Sequence, residues 1–159
     1  MMEQVKIDLI KEVAKEVVAE IEKKKIRKKY KKRLHNTRLL MENYNALKNH
    51  IEKTDDKNKL VNGLDEDDEI FIESIVKTKM RTIKMMGYVD SAIKIVKLDL
   101  NRKHEKYKFL AFKKFYFEKK SLDEISEECK CSVSSARRYI DSVIEELSLI
   151  LWGIDSLEI

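Results

Sequence analysis

Residues 121–147, SLDEISEECKCSVSSARRYIDSVIEEL, decide the fold, because they spell a helix, a tight turn and a second helix. Ser121 and Glu124 make the S-x-x-E pattern of a capping box, in which each side chain satisfies an otherwise unpaired backbone donor. A helix therefore starts near Leu122. Its inward positions are Leu122, Ile125 and Cys129, and Ser126 is small where a second helix must cross closely. The turn falls at Cys129 to Ser132, and Ser132 suits the N-cap of the second helix. Val133, Ala136, Ile140, Val143 and Leu147 then recur at alternating steps of three and four, the spacing of one buried helical stripe. Ser134, Ser135, Arg137, Arg138 and Asp141 are left on the outside. In a helix-turn-helix the early turns of the second helix enter the DNA major groove, where Arg bonds bidentately to guanine and short hydroxyls reach phosphates.

The order L-x-E-I-small-x-x-apolar-x-apolar-S, followed by R-R-Y-I and a run of leucines, resembles region four of bacterial sigma factors. Further strings narrow that resemblance to phage transcriptional regulators of the ArpU and RinA type. They are NTRLLMENYNALKNHIE at 36–52, FIESIVKTKMRTIKMM at 71–86 and SLDEISEECKCSVSSARRYIDSVIEELSLILWGID at 121–155. The resemblance implies an all-α protein with long N-terminal and central helices and a C-terminal sigma-like helix-turn-helix, its recognition helix at about 133–147. It also implies a phage or prophage activator of late genes, with double-stranded DNA as ligand and RNA polymerase as effector partner. Such families often place Gly where this chain has Lys119 and Lys130, and a left-handed backbone at Lys130 would cost roughly 1 kcal/mol. No separate aromatic-rich, promoter-melting region precedes the motif, so a full sigma factor is not expected.

Composition agrees with a helical protein of one domain or two small ones: 159 residues, no proline, three glycines and 40% charged side chains. No apolar run is long enough to span a membrane, and the N-terminus lacks the pattern of a secretion signal. The expectation is the cytoplasm of a bacterial host cell, with no membrane partner. Cys129 and Cys131 read as small core residues in a reducing compartment, since a lone C-x-C without further ligands is poor evidence for zinc.

The net charge of +5 is unevenly spread. Residues 23–33, KKKIRKKYKKR, hold nine bases in eleven positions, and residues 102–120 hold eight against Glu105 and Glu118. From Ser121 onward nine acids stand against Lys130, Arg137 and Arg138, so the only two arginines there lie on the proposed recognition helix. Base reading wants planar, bidentate donors, which Arg supplies and Lys does not. The expected DNA contacts are therefore Ser134, Ser135, Arg137, Arg138, Lys130, Lys119 and Lys120. Lys24, Lys25, Arg27, Lys28, Lys31 and Lys32 are candidates for phosphate contact; the plainer alternative for that run is a solvated helix face.

Four regions succeed one another along the chain: a helical N-terminal region at 1–53 containing the basic run, a linker at 54–68, a long central helix at 69–101 bent at Gly87, and the helix-turn-helix domain at 102–159. Val5, Leu9, Ile10, Val13, Val17 and Ile21 make an apolar stripe that needs a partner, either within the chain or on a second copy as a homodimer. Thr37, Leu40, Tyr44, Leu47 and Ile51 continue the helical period, and TDDKNKLVNGLDEDD at 54–68 combines Asn-Gly with dense charge. In the central helix, Ile72, Val76, Ile83, Met86, Ile93, Val96 and Leu100 share one face. Tyr107, Leu110, Phe112, Phe115 and Phe117 read as core ahead of the motif.

Catalysis has little to rest on. His35, His50 and His104 are scattered surface residues without a metal-binding pattern, no Gly-rich phosphate loop occurs, and Asp65 to Glu69 lack calcium-loop spacing. No catalytic residue, metal or cofactor is assigned. Two alternatives stand beside the regulator: a phage small terminase subunit, which would assemble as a ring on packaging-site DNA, and a scaffold protein whose motif serves only packing.

Overall fold

The computed structural model describes residues 1–52, 65–76 and 79–153. Among them every regular element is an α-helix: α1 Met2–Glu42, α2 Tyr44–Glu52, α3 Glu66–Val76, α4 Lys79–Arg102, α5 Lys106–Tyr116, α6 Leu122–Glu128 and α7 Val133–Trp152. The fold is all-α, as the composition implies.

The core gathers around α7, which packs against α1, α4, α5 and α6. Ala136, Ile140, Val143, Ile144, Leu147 and Leu151 are buried along it, a wider face than the expected stripe because several helices share it. Val133, expected at the start of that stripe, is instead 40% exposed, since it directly follows the N-cap and has no preceding turn beside it. Phe112 is fully buried and its ring meets Phe109, Tyr116 and Phe117 at centroid distances of 5.2 to 5.7 Å. The aromatic stretch thus supplies core, although Tyr107 and Leu110 lie on its outer side.

Helix ends follow local chemistry. Asn43 stops α1 by donating from its side chain to the Leu39 carbonyl at 2.9 Å. Asp65 caps α3 by accepting from the Asp68 backbone at 3.0 Å, and Glu66, Asp67, Asp68 and Glu69 fill the first turn, where the helix dipole favours acids. The acidic cluster assigned to a linker is therefore in good part a helix start; residues 54–64, including the Asn62-Gly63 turn signal, lie outside the described residues. Of the segment expected as one central helix, Glu66–Val76 and Lys79–Arg102 are helical, residues 77–78 lie outside the described residues, and α4 runs through Gly87 without interruption.

The inner face of α4 is Thr82, Met86, Val89, Ala92, Ile93, Val96 and Leu100. Ile83 lies one position off that face and is 41% exposed, while Val76, expected on the same face, has a side chain outside those the structure describes. His50 is buried rather than on the surface, because it shares the inner side of α2 with Leu47. α2 is pinned to α4 through Tyr44, whose hydroxyl donates to Asp90 at 2.6 Å; burial, then Asp90, pushes that phenol above its ordinary pKa.

The N-terminal stripe has a different fate. Every residue from 1 to 29 is exposed, and α1 joins the body only from about Tyr30 onward. Leu34, Thr37, Leu39, Leu40 and Met41 are its buried residues.

Candidate nucleic-acid interface

The unit of α6, the turn and α7 is built by its caps. Ser121 Oγ accepts the Glu124 amide at 3.2 Å while the Glu124 carboxylate accepts the Ser121 amide at 2.8 Å, which completes the capping box at the start of α6. At the far end Cys131 N–H donates to Ser126 O at 3.0 Å and Lys130 N–H to Glu127 O at 3.3 Å. That pair of bonds is a Schellman motif, with Lys130 at its left-handed position at φ 52°. Ser132 then caps α7 by accepting the Ser135 amide at 3.0 Å. Ile125 and Ala136 are both fully buried, whereas Ser126, expected at the close crossing, is only half-buried and bonds Asp123 O at 2.8 Å.

This local order presents Lys130, Ser134, Arg137 and Arg138 on the turn and first two turns of α7, all four exposed. Ser135 is half-buried; its hydroxyl meets Ser132 Oγ at 2.9 Å and receives Arg138 at 3.2 Å. The bond holds the guanidinium beside the helix rather than free in solvent. Asp141 lies beyond the set and pairs with Arg38 of α1 at 3.6 Å. Tyr139 is half-buried with its ring edge-on to Tyr107 at 4.8 Å.

Lys119 and Lys120 have protein partners instead. The Lys119 ammonium donates to Glu42 O at 2.8 Å, tying the end of α1 to the connection before α6; burial lowers its pKa and Glu42 acts against that. Lys119 also adopts a left-handed backbone at φ 56°. Lys120 bonds Glu128 at 2.6 Å, and Lys114 bonds the other oxygen of the same carboxylate. These two bonds hold the Glu128 carboxyl below its ordinary range and neutralise one acid of α6. Asp123, Glu124 and Glu127 remain exposed on that helix, an acidic flank beside the basic turn.

The basic run is not brought to the same place. Thr37, four residues after Arg33, accepts from the Trp152 indole at 3.0 Å, at the end of α7 opposite Ser134. A helix of this length spans about 30 Å, so Lys24, Lys25, Arg27, Lys28, Lys31 and Lys32 lie away from the arginine pair on a separate, solvated stretch.

Sequence reasoning missed Val133 as a surface residue. Its exposed side chain adjoins the polar set and offers the apolar contact that a thymine methyl takes. The signal was present: a residue directly after an N-cap has no preceding turn to cover it. Among the described residues no group of three or more His, Cys, Asp or Glu is placed to hold a metal ion, and no helix is long and apolar enough to cross a membrane. Cys129 and Cys131 are free thiols, and burial raises the pKa of Cys129. Comparison of the chain with protein-family models, with curated proteins and with solved structures finds no match.

Proposed function

We propose that the chain is a DNA-binding transcription regulator that lays the first two turns of α7 in the major groove of a promoter. The observation that carries this reading is the arrangement of Lys130, Ser134, Arg137 and Arg138, presented together at the N-terminal end of a helix that is buried along its other face. Arg137 and Arg138 would read guanine edges, Val133 a thymine methyl, and Ser134 and Lys130 would hold phosphates. Amides at the start of α7 add partial positive charge.

Lys119 and Lys120 serve this site indirectly, by fixing the connection from α5 to α6 against Glu42 and Glu128. The run at 23–33 contributes phosphate contact only where DNA extends past the Trp152 end of α7. The resemblance to ArpU and RinA regulators supports a phage or prophage late-gene activator acting through RNA polymerase in the bacterial cytoplasm.

The test is titration of the purified chain against random duplex DNA and against duplexes from its own genome, over a series of salt concentrations. The reading expects affinity that falls with salt, and at least roughly a thousandfold preference for some genomic site. Salt-independent or absent binding would return the motif to a packing role. Recovery of a large closed ring on a packaging site would favour the terminase alternative.

A further inference from the structure

Residues 7–21 of α1 are a finished amphipathic helix with nothing on its apolar side among the described residues. Ile7, Ile10, Val13, Val17, Val18 and Ile21 fall within a sector of about 140° on a helical projection, and each is 44 to 67% exposed. Asp8, Lys11, Glu12, Lys15, Glu16 and Glu22 occupy the opposite sector. β-Branched residues are weak helix formers, and helices in water draw most of their stability from burying such a face. The described residues of the body do not cover it: α1 is continuous from Met2 to Glu42, and Ile21 is 13 residues, about 20 Å, from the first buried residue, Leu34.

We infer that the chain self-associates as an antiparallel dimer through this face, centred near Ala14. Burying one Val or Ile side chain removes roughly 60 to 120 Å² of apolar surface from water. Six on each copy cover on the order of 1,000 Å², the size at which specific interfaces begin. Ala14 is small at the centre, where two identical helices approach most closely.

The charges choose both the occupant and the direction. Residues 1–22 carry six acids against three lysines, whereas residues 23–33 carry nine bases and no acid. A parallel pair would hold the two basic runs about 10 Å apart along their length. The antiparallel pair separates their midpoints by about 40 Å, several Debye lengths at physiological salt, and sets Glu3 of one copy near Lys25 of the other. An anionic bilayer fits less well, because the polar side of residues 7–22 is predominantly acidic and membrane-surface helices present lysine and arginine there. The two-fold closes on itself, so association stops at two copies. Resting on the DNA reading, the dimer would carry two recognition helices, and paired sites would bind more tightly than single ones.

The experiment is light scattering of the full chain without DNA, at tens of micromolar, on the parent and on a Val13→Asp, Val17→Asp variant. The parent should have twice the 18.9 kDa single-chain mass. The variant should return to the single-chain mass with its dimer fraction down at least tenfold, while fluorescence of Trp152, bonded to Thr37 of α1 in the body, reports an unchanged unfolding transition. Orientation is read by oxidation in a Cys129→Ser, Cys131→Ser background: Ile7→Cys and Ile21→Cys chains should cross-link when mixed and not when alone. A single-chain parent, a parent larger than two chains, a variant that stays dimeric, or cross-linking of each cysteine chain with itself would overturn the inference. Because no DNA is present, its failure leaves the DNA reading standing.

Discussion

The two ends of the chain carry apolar stripes of the same helical period, and the body buries only one of them. In α7 the stripe is covered from several sides, and a polar set stands at its N-terminal end. Within residues 1–29 a comparable stripe meets no other part of the described chain. Periodicity therefore reports that a face wants burial and is silent on what supplies it. The C-terminal body finds its cover inside the chain because short connections return α5, α6 and α7 onto one another, whereas an unbroken 41-residue helix has no means of turning back.

The largest expected effect sharpens this contrast. Phe112→Ala should cost about 3 to 5 kcal/mol of stability in urea denaturation, because it empties a fully buried aromatic site. Val13→Ala, measured below the concentration of any self-association, should change stability by less than about 0.5 kcal/mol. Comparable losses at the two positions would mean that α1 is covered within the single chain.

Next, Arg137→Ala and Arg138→Ala should each weaken binding to a preferred site by about 1 to 3 kcal/mol, with smaller losses on random duplexes and no change in melting. An equal loss on every sequence would reassign the pair to phosphates. Ser121→Ala tests the scaffold that presents them. Removing half of the capping box should cost about 1 kcal/mol of stability and loosen α6, seen as faster amide exchange at residues 122–125.

The basic run is probed by salt. Replacing Lys24, Lys25, Lys28 and Lys31 with Gln should lower the slope of log affinity against log salt by about 0.9 for each phosphate that no longer meets a lysine. An unchanged slope would assign the run to solubility or to the dimer's charge pattern.

The smallest effect concerns Glu146, which lines the groove between α4 and α7 with Asp99 and Lys103. Burial raises its pKa and Lys103 opposes that. With the folded pKa above the unfolded one, the folded state binds the proton more tightly. The ionised group therefore weighs against the fold at neutral pH, and that weight lifts as pH falls through the folded value. Glu146→Gln should raise the melting temperature by about 1 °C at pH 7, with the difference shrinking as the pH is lowered into the carboxylate range.

Legibility tracked how local the signal was. The capping box, the Ser132 cap and the turn at Lys130 are set by neighbours within a few residues, and the chain spells them out. Ile83 was placed on the inner face because it is apolar, yet the buried position is Thr82: where α2 and α3 reach α4 settles which side turns inward, and no local pattern reports that. The backbone conformation at His104 was illegible for a related reason. This residue lies just past the end of α4 in a left-handed backbone at φ 59° without being Gly or Asn. Among the candidate site residues, chemistry singled out the arginines, but whether a lysine is free or engaged needed three dimensions. Lys119 and Lys120 lie next to the motif in sequence and still point to Glu42 and Glu128.

Whether α7 reads base sequence is tested most directly by selection from a random duplex pool. Parent chain and an Arg137→Ala, Arg138→Ala double variant would be carried through the same rounds at one salt concentration. If α7 reads bases, the parent enriches a short guanine-containing motif and the variant, equally well folded, enriches none or a relaxed form of it. No enrichment by the parent, or the same motif recovered undiminished by the variant, would contradict base reading by α7.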